Sequence, residues 1–100
     1  MNAKFNEIIS QEQLTLVDFY ADWCGPCKTL APILQEVKAV LKDDVKIIKI
    51  NVDQHQDLAS EFMVRGVPTM LLFKNGQMLW RQSGVLGRND LVKIIREHLN

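Results

Sequence analysis

Cysteine is scarce in this chain of 100 residues: only Cys24 and Cys27 are present, with five Gly, three Pro and one Tyr. A secreted disulfide scaffold spreads more cysteines along the chain to close long loops, so that class is excluded. So little Gly and Pro excludes a collagen-like or linker-like chain. An excess of either charge is also missing, because twelve basic residues balance twelve acidic ones. Without surplus positive charge there is no electrostatic case for nucleic acid or anionic lipid as a partner. No run approaches the ~18–20 apolar residues of a membrane span. Met1 to Ser10 alternates polar and apolar residues and lacks the apolar core of a secretory signal. The expectation is a soluble, cytoplasmic chain. What is present is ordinary for a globular protein, 47% hydrophobic and 24% charged residues. The length suits one domain, residues 1–100.

Hydrophobic periodicity orders the elements. Phe5, Ile8 and Ile9 suggest a short amphipathic helix. Leu14 to Tyr20 (LTLVDFY) is nearly unbroken in apolarity, the pattern of a strand buried on both faces. Leu30, Leu34, Val37 and Leu41 form a helical stripe, with Pro32 inside it as a kink. Asp43-Asp44 breaks that pattern, and Val45 to Val52 reads as a second strand. The helix between makes this a β-α-β unit with parallel strands. A shorter helix follows around Asp57 to Met63. Thr69 to Phe73 and Met78 to Gln82 read as strands joined by Lys74-Asn75-Gly76-Gln77, and Asn-Gly is a strong hairpin signal. A helix from about Arg88, with Leu91, Ile95 and Leu99 inward, closes the chain. The fold class is α/β: a mixed sheet of four strands with helices on both faces.

The cysteine pair falls where the first strand turns into the long helix. Ligand crevices in such sheets open at the carboxyl ends of the parallel strands. Random placement of two cysteines gives this spacing roughly 2% of the time. A thiolate is the reactive form of cysteine, and a helix N-terminus, with unpaired N–H groups and partial positive charge, favours it at Cys24. Cys27, one turn on, lies on the same face and can close a disulfide. Position therefore makes Cys24 the exposed nucleophile and Cys27 the shielded resolving residue. Pro26 suits the first helical turn, and Gly25-Pro26 tunes the redox potential. The bland alternative is a pair of buried apolar thiols.

Trp23-Cys24-Gly25-Pro26-Cys27-Lys28, with Val17-Asp18-Phe19 before it and Val67-Pro68-Thr69 after it, resembles the thioredoxin family. The likeness continues through Lys49-Ile50-Asn51-Val52-Asp53 and Leu72-Phe73-Lys74-Asn75-Gly76 to Gly84. A Cys-X-X-Cys pair beside a β-α-β unit is a recognised mark of that family. The resemblance implies the thioredoxin fold and a protein-disulfide reductase, a two-electron carrier without a bound cofactor. Its redox-active disulfide would be Cys24–Cys27, re-reduced by thioredoxin reductase drawing on NADPH. Implied clients are disulfide-containing proteins such as ribonucleotide reductase, methionine sulfoxide reductase and peroxiredoxins. The implied state is a cytoplasmic monomer in electron transport and redox homeostasis. Two departures stand out. The chain has too few residues before the first helix for the family's usual first edge strand, and Tyr20 stands where the family usually has Trp. A hydroxyl is thereby added near the active-site loop.

Supporting residues have functional and bland readings. Asp18 is the one charge in an apolar run, so burial should raise its pKa, with Lys49 of the second strand as its partner. The bland reading is a structural ion pair; the resemblance implies proton transfer at Cys27. Pro68 would be trans by base rate, whereas the resemblance implies a cis Val67–Pro68 bond against the disulfide. Trp23, Gly66, Val67, Pro68 and Gly84, with Gly25, would form a low apolar rim that binds clients by strand addition. Trp80 reads as packing, His55 and His98 as solvent-facing, and Met63, Met70 and Met78 as core filling. Three other readings remain. A disulfide donor or isomerase is disfavoured by Gly25-Pro26 and the missing signal. A metal site lacks a second Cys/His pair. A redox-independent binding module stays open as an added role.

Overall fold

β-Branched and aromatic residues, with no Gly or Pro, make Leu14–Tyr20 a seven-residue strand, β1, at the centre of the sheet. In the computed structural model, which describes residues 2–99, the sheet order is β2-β1-β3-β4. Here β2 is Val45–Asn51, β3 is Thr69–Lys74 and β4 is Gln77–Ser83. β1 runs parallel to β2 and antiparallel to β3. The crossover between the parallel strands is α2 (Gly25–Leu41), which passes through Pro32 without ending; a 3₁₀ turn (Lys42–Asp44) follows. α1 (Ala3–Ile9), α3 (Gln56–Glu61) and α4 (Arg88–Glu97) complete the chain.

Side-chain alternation along β1 divides the core in two. Leu14 and Leu16 face α2 and α4, packing with Leu30, Leu34, Leu91 and Ile95. Val17 and Phe19 face the other way, onto Phe5 and Ile9 of α1 and Leu58 of α3. There the Phe62 ring lies 5.5 Å from Phe73, edge to face, and 5.6 Å from Phe5, tilted, spacings that aromatic rings favour. The β3–β4 turn forms as expected. Asn75 and Gly76 both take positive φ, and their N–H groups donate to Gln11 and Ile9 carbonyls at 2.8 and 2.9 Å. The hairpin thus anchors the end of α1 as well as turning the chain.

The architecture is the mixed four-stranded sheet that periodicity indicates, with no further strand among the described residues. Several side chains sit otherwise than expected. Met70 is buried, but Met63 and Met78 are exposed, at 66% and 45%. Met63 takes a positive φ just beyond α3, and Met78 flanks a register shift on an edge strand. Neither position faces a packed layer. His55 and His98 are half-buried and not solvent-facing. His98 Nδ1 lies 2.8 Å from the Ile94 carbonyl. Trp80 packs against the α2/α4 side of the core, as expected.

Candidate functional site

Where β1 ends, the chain turns through Ala21–Asp22–Trp23 into α2. Cys24 is the N-cap of that helix, in extended conformation, and its Sγ accepts the Cys27 N–H at 3.1 Å. A sulfur therefore occupies the place where a helix usually sets a hydroxyl or carboxylate. Pro26 sits in the first turn, where its missing N–H leaves no hydrogen bond unmade. Cys24 and Cys27 are joined as a disulfide with Cα atoms 5.3 Å apart, within the usual range.

The expected contrast between an exposed Cys24 and a shielded Cys27 is absent from this oxidised state. Their exposures are 4% and 5%. Both pack with Ala21 against Tyr20, Val52 and Val67, so neither residue is the more exposed. The difference between them is one of contacts. Cys24 Sγ takes the helix N–H and lies 3.6 Å from the Val67 carbonyl, 43 residues away in sequence.

Val67–Pro68 is cis, as the resemblance implies. Pro68 is buried, Gly66 exposed and Val67 half-buried. Gly84, at φ 93, donates its N–H to the Pro68 carbonyl at 2.9 Å, which brings the end of β4 beside this loop. Trp23 is 70% exposed and shares a small cavity of about 110 Å³ with Val52, Val64, Arg65, Gly66 and Val67. The rim residues Trp23, Gly66, Val67, Pro68 and Gly84 are thus gathered at one end of the sheet from segments far apart in sequence.

Asp18 and Lys49 are Cα partners across the parallel pair. Asp18 is fully buried and neither carboxyl oxygen has a hydrogen-bond partner. Burial raises its pKa from 3.8 to about 6, with the nearby Lys49 charge pulling the other way. The expected direct ion pair does not form, however. Lys49 is exposed, and its Nζ lies 4.5 Å from the centroid of the Tyr20 ring. The lysine stem carries the ammonium outward to an aromatic face and leaves the acid unpaired. Tyr20 thus contributes its ring here; its hydroxyl makes no hydrogen bond among those described.

Sequence reasoning gave no role to Asn51 and Asp53. Buried Asn51 accepts the Asp53 N–H at 2.9 Å and donates to Asp22 at 3.5 Å. Asp53 then accepts the Trp23 indole N–H at 2.9 Å. The end of β2 thereby sets the orientation of Trp23. An Asn at the end of a strand, followed two positions on by an acid, is the signal in the residues that points to this.

The thioredoxin family model matches residues 1–97. The chain belongs to the thioredoxin family. A thioredoxin of Haemophilus influenzae is 41% identical over 99 residues, covering 98% of this chain and 92% of its own. One of Rickettsia prowazekii is 39% identical over 94 residues, covering 94% and 90%. Among solved structures, a mutant thioredoxin of Halobacterium salinarum superimposes with a TM-score of 0.88 at 35% identity, covering 100% and 87%. A chain from a study of thiol resolving in yeast mitochondrial 1-Cys peroxiredoxin via glutathione/thioredoxin systems also reaches 0.88, at 34% identity, covering 97% and 90%. Thioredoxins are dithiol–disulfide oxidoreductases that need no bound cofactor and work with thioredoxin reductase and disulfide clients. The Cys24–Cys27 pair equips this chain for that exchange. No helix among the described residues is long and apolar enough to cross a membrane.

Proposed function

We propose that Cys24 is the nucleophile and Cys27 the resolving residue of a general protein-disulfide reductase. The observation that carries this is the Cys27 N–H directed at Cys24 Sγ, which would favour a thiolate at that sulfur once the pair is reduced. The Cys24 thiolate attacks one sulfur of a client disulfide. The client S–S bond breaks, and its departing thiolate takes a proton. Asp18, as carboxylate, accepts the Cys27 thiol proton, and the Cys27 thiolate attacks Cys24 Sγ. The mixed disulfide breaks, the second client thiolate is protonated, and the pair has given up two electrons.

Gly25 and Pro26 tune the couple by limiting the N–H donors around the sulfurs. Trp23, Gly66, Val67, Pro68 and Gly84 bind the client, with the Val67 backbone beside the attacking sulfur receiving an extended segment. Lys49 modulates the proton affinity of Asp18. Residues 1–100 act as one monomeric unit in the cytoplasm, within electron transport and redox homeostasis. NADPH supplies the reducing equivalents through thioredoxin reductase. Clients would include ribonucleotide reductase, methionine sulfoxide reductase and peroxiredoxins; the structural likeness to the chain from the peroxiredoxin study favours the last.

Insulin-disulfide reduction with a thiol regenerant tests the assignment. Cys24→Ser should abolish turnover, and Cys27→Ser should stall with client bound through Cys24. Wild-type turnover in Cys24→Ser would end the reading.

A further inference from the structure

The register of the parallel pair offers a cation to an acid, and the cation sits elsewhere. Asp18 and Lys49 are Cα partners, yet the Lys49 ammonium rests on the Tyr20 ring while both Asp18 oxygens stay unpartnered. The one salt bridge among the described residues joins Arg88 to Glu36. Tyr20 follows Asp18 by two positions, so ring and carboxyl project from the same face of β1, roughly 7 Å apart along the strand. A flexible four-carbon stem on the neighbouring strand can serve either seat. Beside the Tyr20 ring and the Lys49 stem lies a cavity of about 160 Å³, walled also by Ala21, Asp22, Cys27, Lys28 and Ala31, so the stem is not packed in on that side.

We propose that Tyr20 is a positioning residue: its ring competes with the Asp18 carboxylate for the Lys49 ammonium. The lysine rests on the ring while Asp18 is neutral and moves to the acid when Asp18 ionises. This rests on Asp18 as proton acceptor for Cys27 and adds what sets its affinity for that proton. When the Cys27 thiol hands its proton to the Asp18 carboxylate, the ammonium loses its attraction and returns to the ring. When the proton passes to water, the ammonium comes back. Lys49 keeps its own proton throughout. By offering a second seat, the ring raises the proton affinity of Asp18 above that of a chain without it.

Few other charges border this exchange. Asp22 accepts a hydrogen bond from Asn51, Lys28 is exposed at the cavity mouth, and Cys27 is held in the disulfide. Lys38 of α2 is committed to the carbonyls of Lys42 and Val45. β3 sets uncharged Met70 opposite Asp18, and α4 presents Leu91 and Ile95 to this side of the core.

The test follows the Asp18 carboxyl carbon by NMR through a pH titration of the oxidised protein. Tyr20→Leu should lower the Asp18 midpoint by about half a pH unit, roughly threefold in proton affinity. Tyr20→Phe, which keeps the ring, should leave it unchanged. Lys49→Met, at an exposed position, should raise it, and Tyr20→Leu should have no further effect in that background. An unmoved midpoint in Tyr20→Leu, equal shifts from Leu and Phe, or the same shift without Lys49 would each overturn the inference. Turnover of Asp18→Asn tests the proton-acceptor role separately, because the titration reads the competition in the resting protein.

Discussion

Replacing Asp18 by Asn removes an ionisable group from the place in the fold least able to hold it. Asp18 has no solvent exposure, its oxygens have no hydrogen-bond partner, and burial raises its pKa from 3.8 to about 6. The folded chain therefore binds this proton more tightly than the unfolded chain. Well below pH 3.8 both states are protonated and the group costs nothing through ionisation. Well above pH 6 both are ionised, and the folded state carries the whole penalty, about 3 kcal/mol at about 1.4 kcal/mol per pH unit. Stability contributed through this group thus falls as pH rises between those limits. Asn does not titrate. The stability of Asp18→Asn relative to wild type should therefore grow by about 2.5 kcal/mol between about pH 4 and pH 8, whatever constant offset the buried amide brings. In a domain of this size that difference moves Tm by roughly 10–20 °C. Urea unfolding of both oxidised proteins at several pH values measures it, and client reduction by the variant should be slower. Parallel stability curves would refute the argument, because they would mean that the folded protein solvates or pairs the carboxylate as well as water does.

Three further substitutions separate packing, backbone satisfaction and client contact. Leu30→Ala empties a fully buried position on α2 and should cost about 2–5 kcal/mol in urea unfolding. A loss below ~1 kcal/mol would mean that the α2 contact with the sheet is loose. Lys38→Met strips the donor from two carbonyls held at 2.7 and 2.6 Å at the turn into β2, and should destabilise by about 1–3 kcal/mol. An unchanged midpoint would show that water replaces the ammonium there. Trp23→Ala removes an exposed ring, so stability should stay within about 0.5 kcal/mol while KM for a protein client rises. Loss of stability with unaltered KM would place Trp23 in the structure and not in recognition.

Short-range physics determined most of the fold and the position of the chemistry. Unbroken apolarity in Leu14–Tyr20, the four-three-four spacing of Leu30, Leu34, Val37 and Leu41, and the Asn75-Gly76 turn each depend on residues a few positions apart. Cys24 and Cys27 are legible for the same reason: three residues at a helix start place both sulfurs on one face wherever the helix goes. The surroundings of those sulfurs were not legible. The Val67 carbonyl beside Cys24, the Asp53 carboxylate that holds Trp23, and the open surroundings of Met63 and Met78 follow from how distant segments pack. Sequence offered Lys49 to Asp18, and strand register brought them abreast. Only the tertiary structure set the ammonium on Tyr20, because where a long flexible stem comes to rest is decided by the shape of the space around it and not by which residues are present.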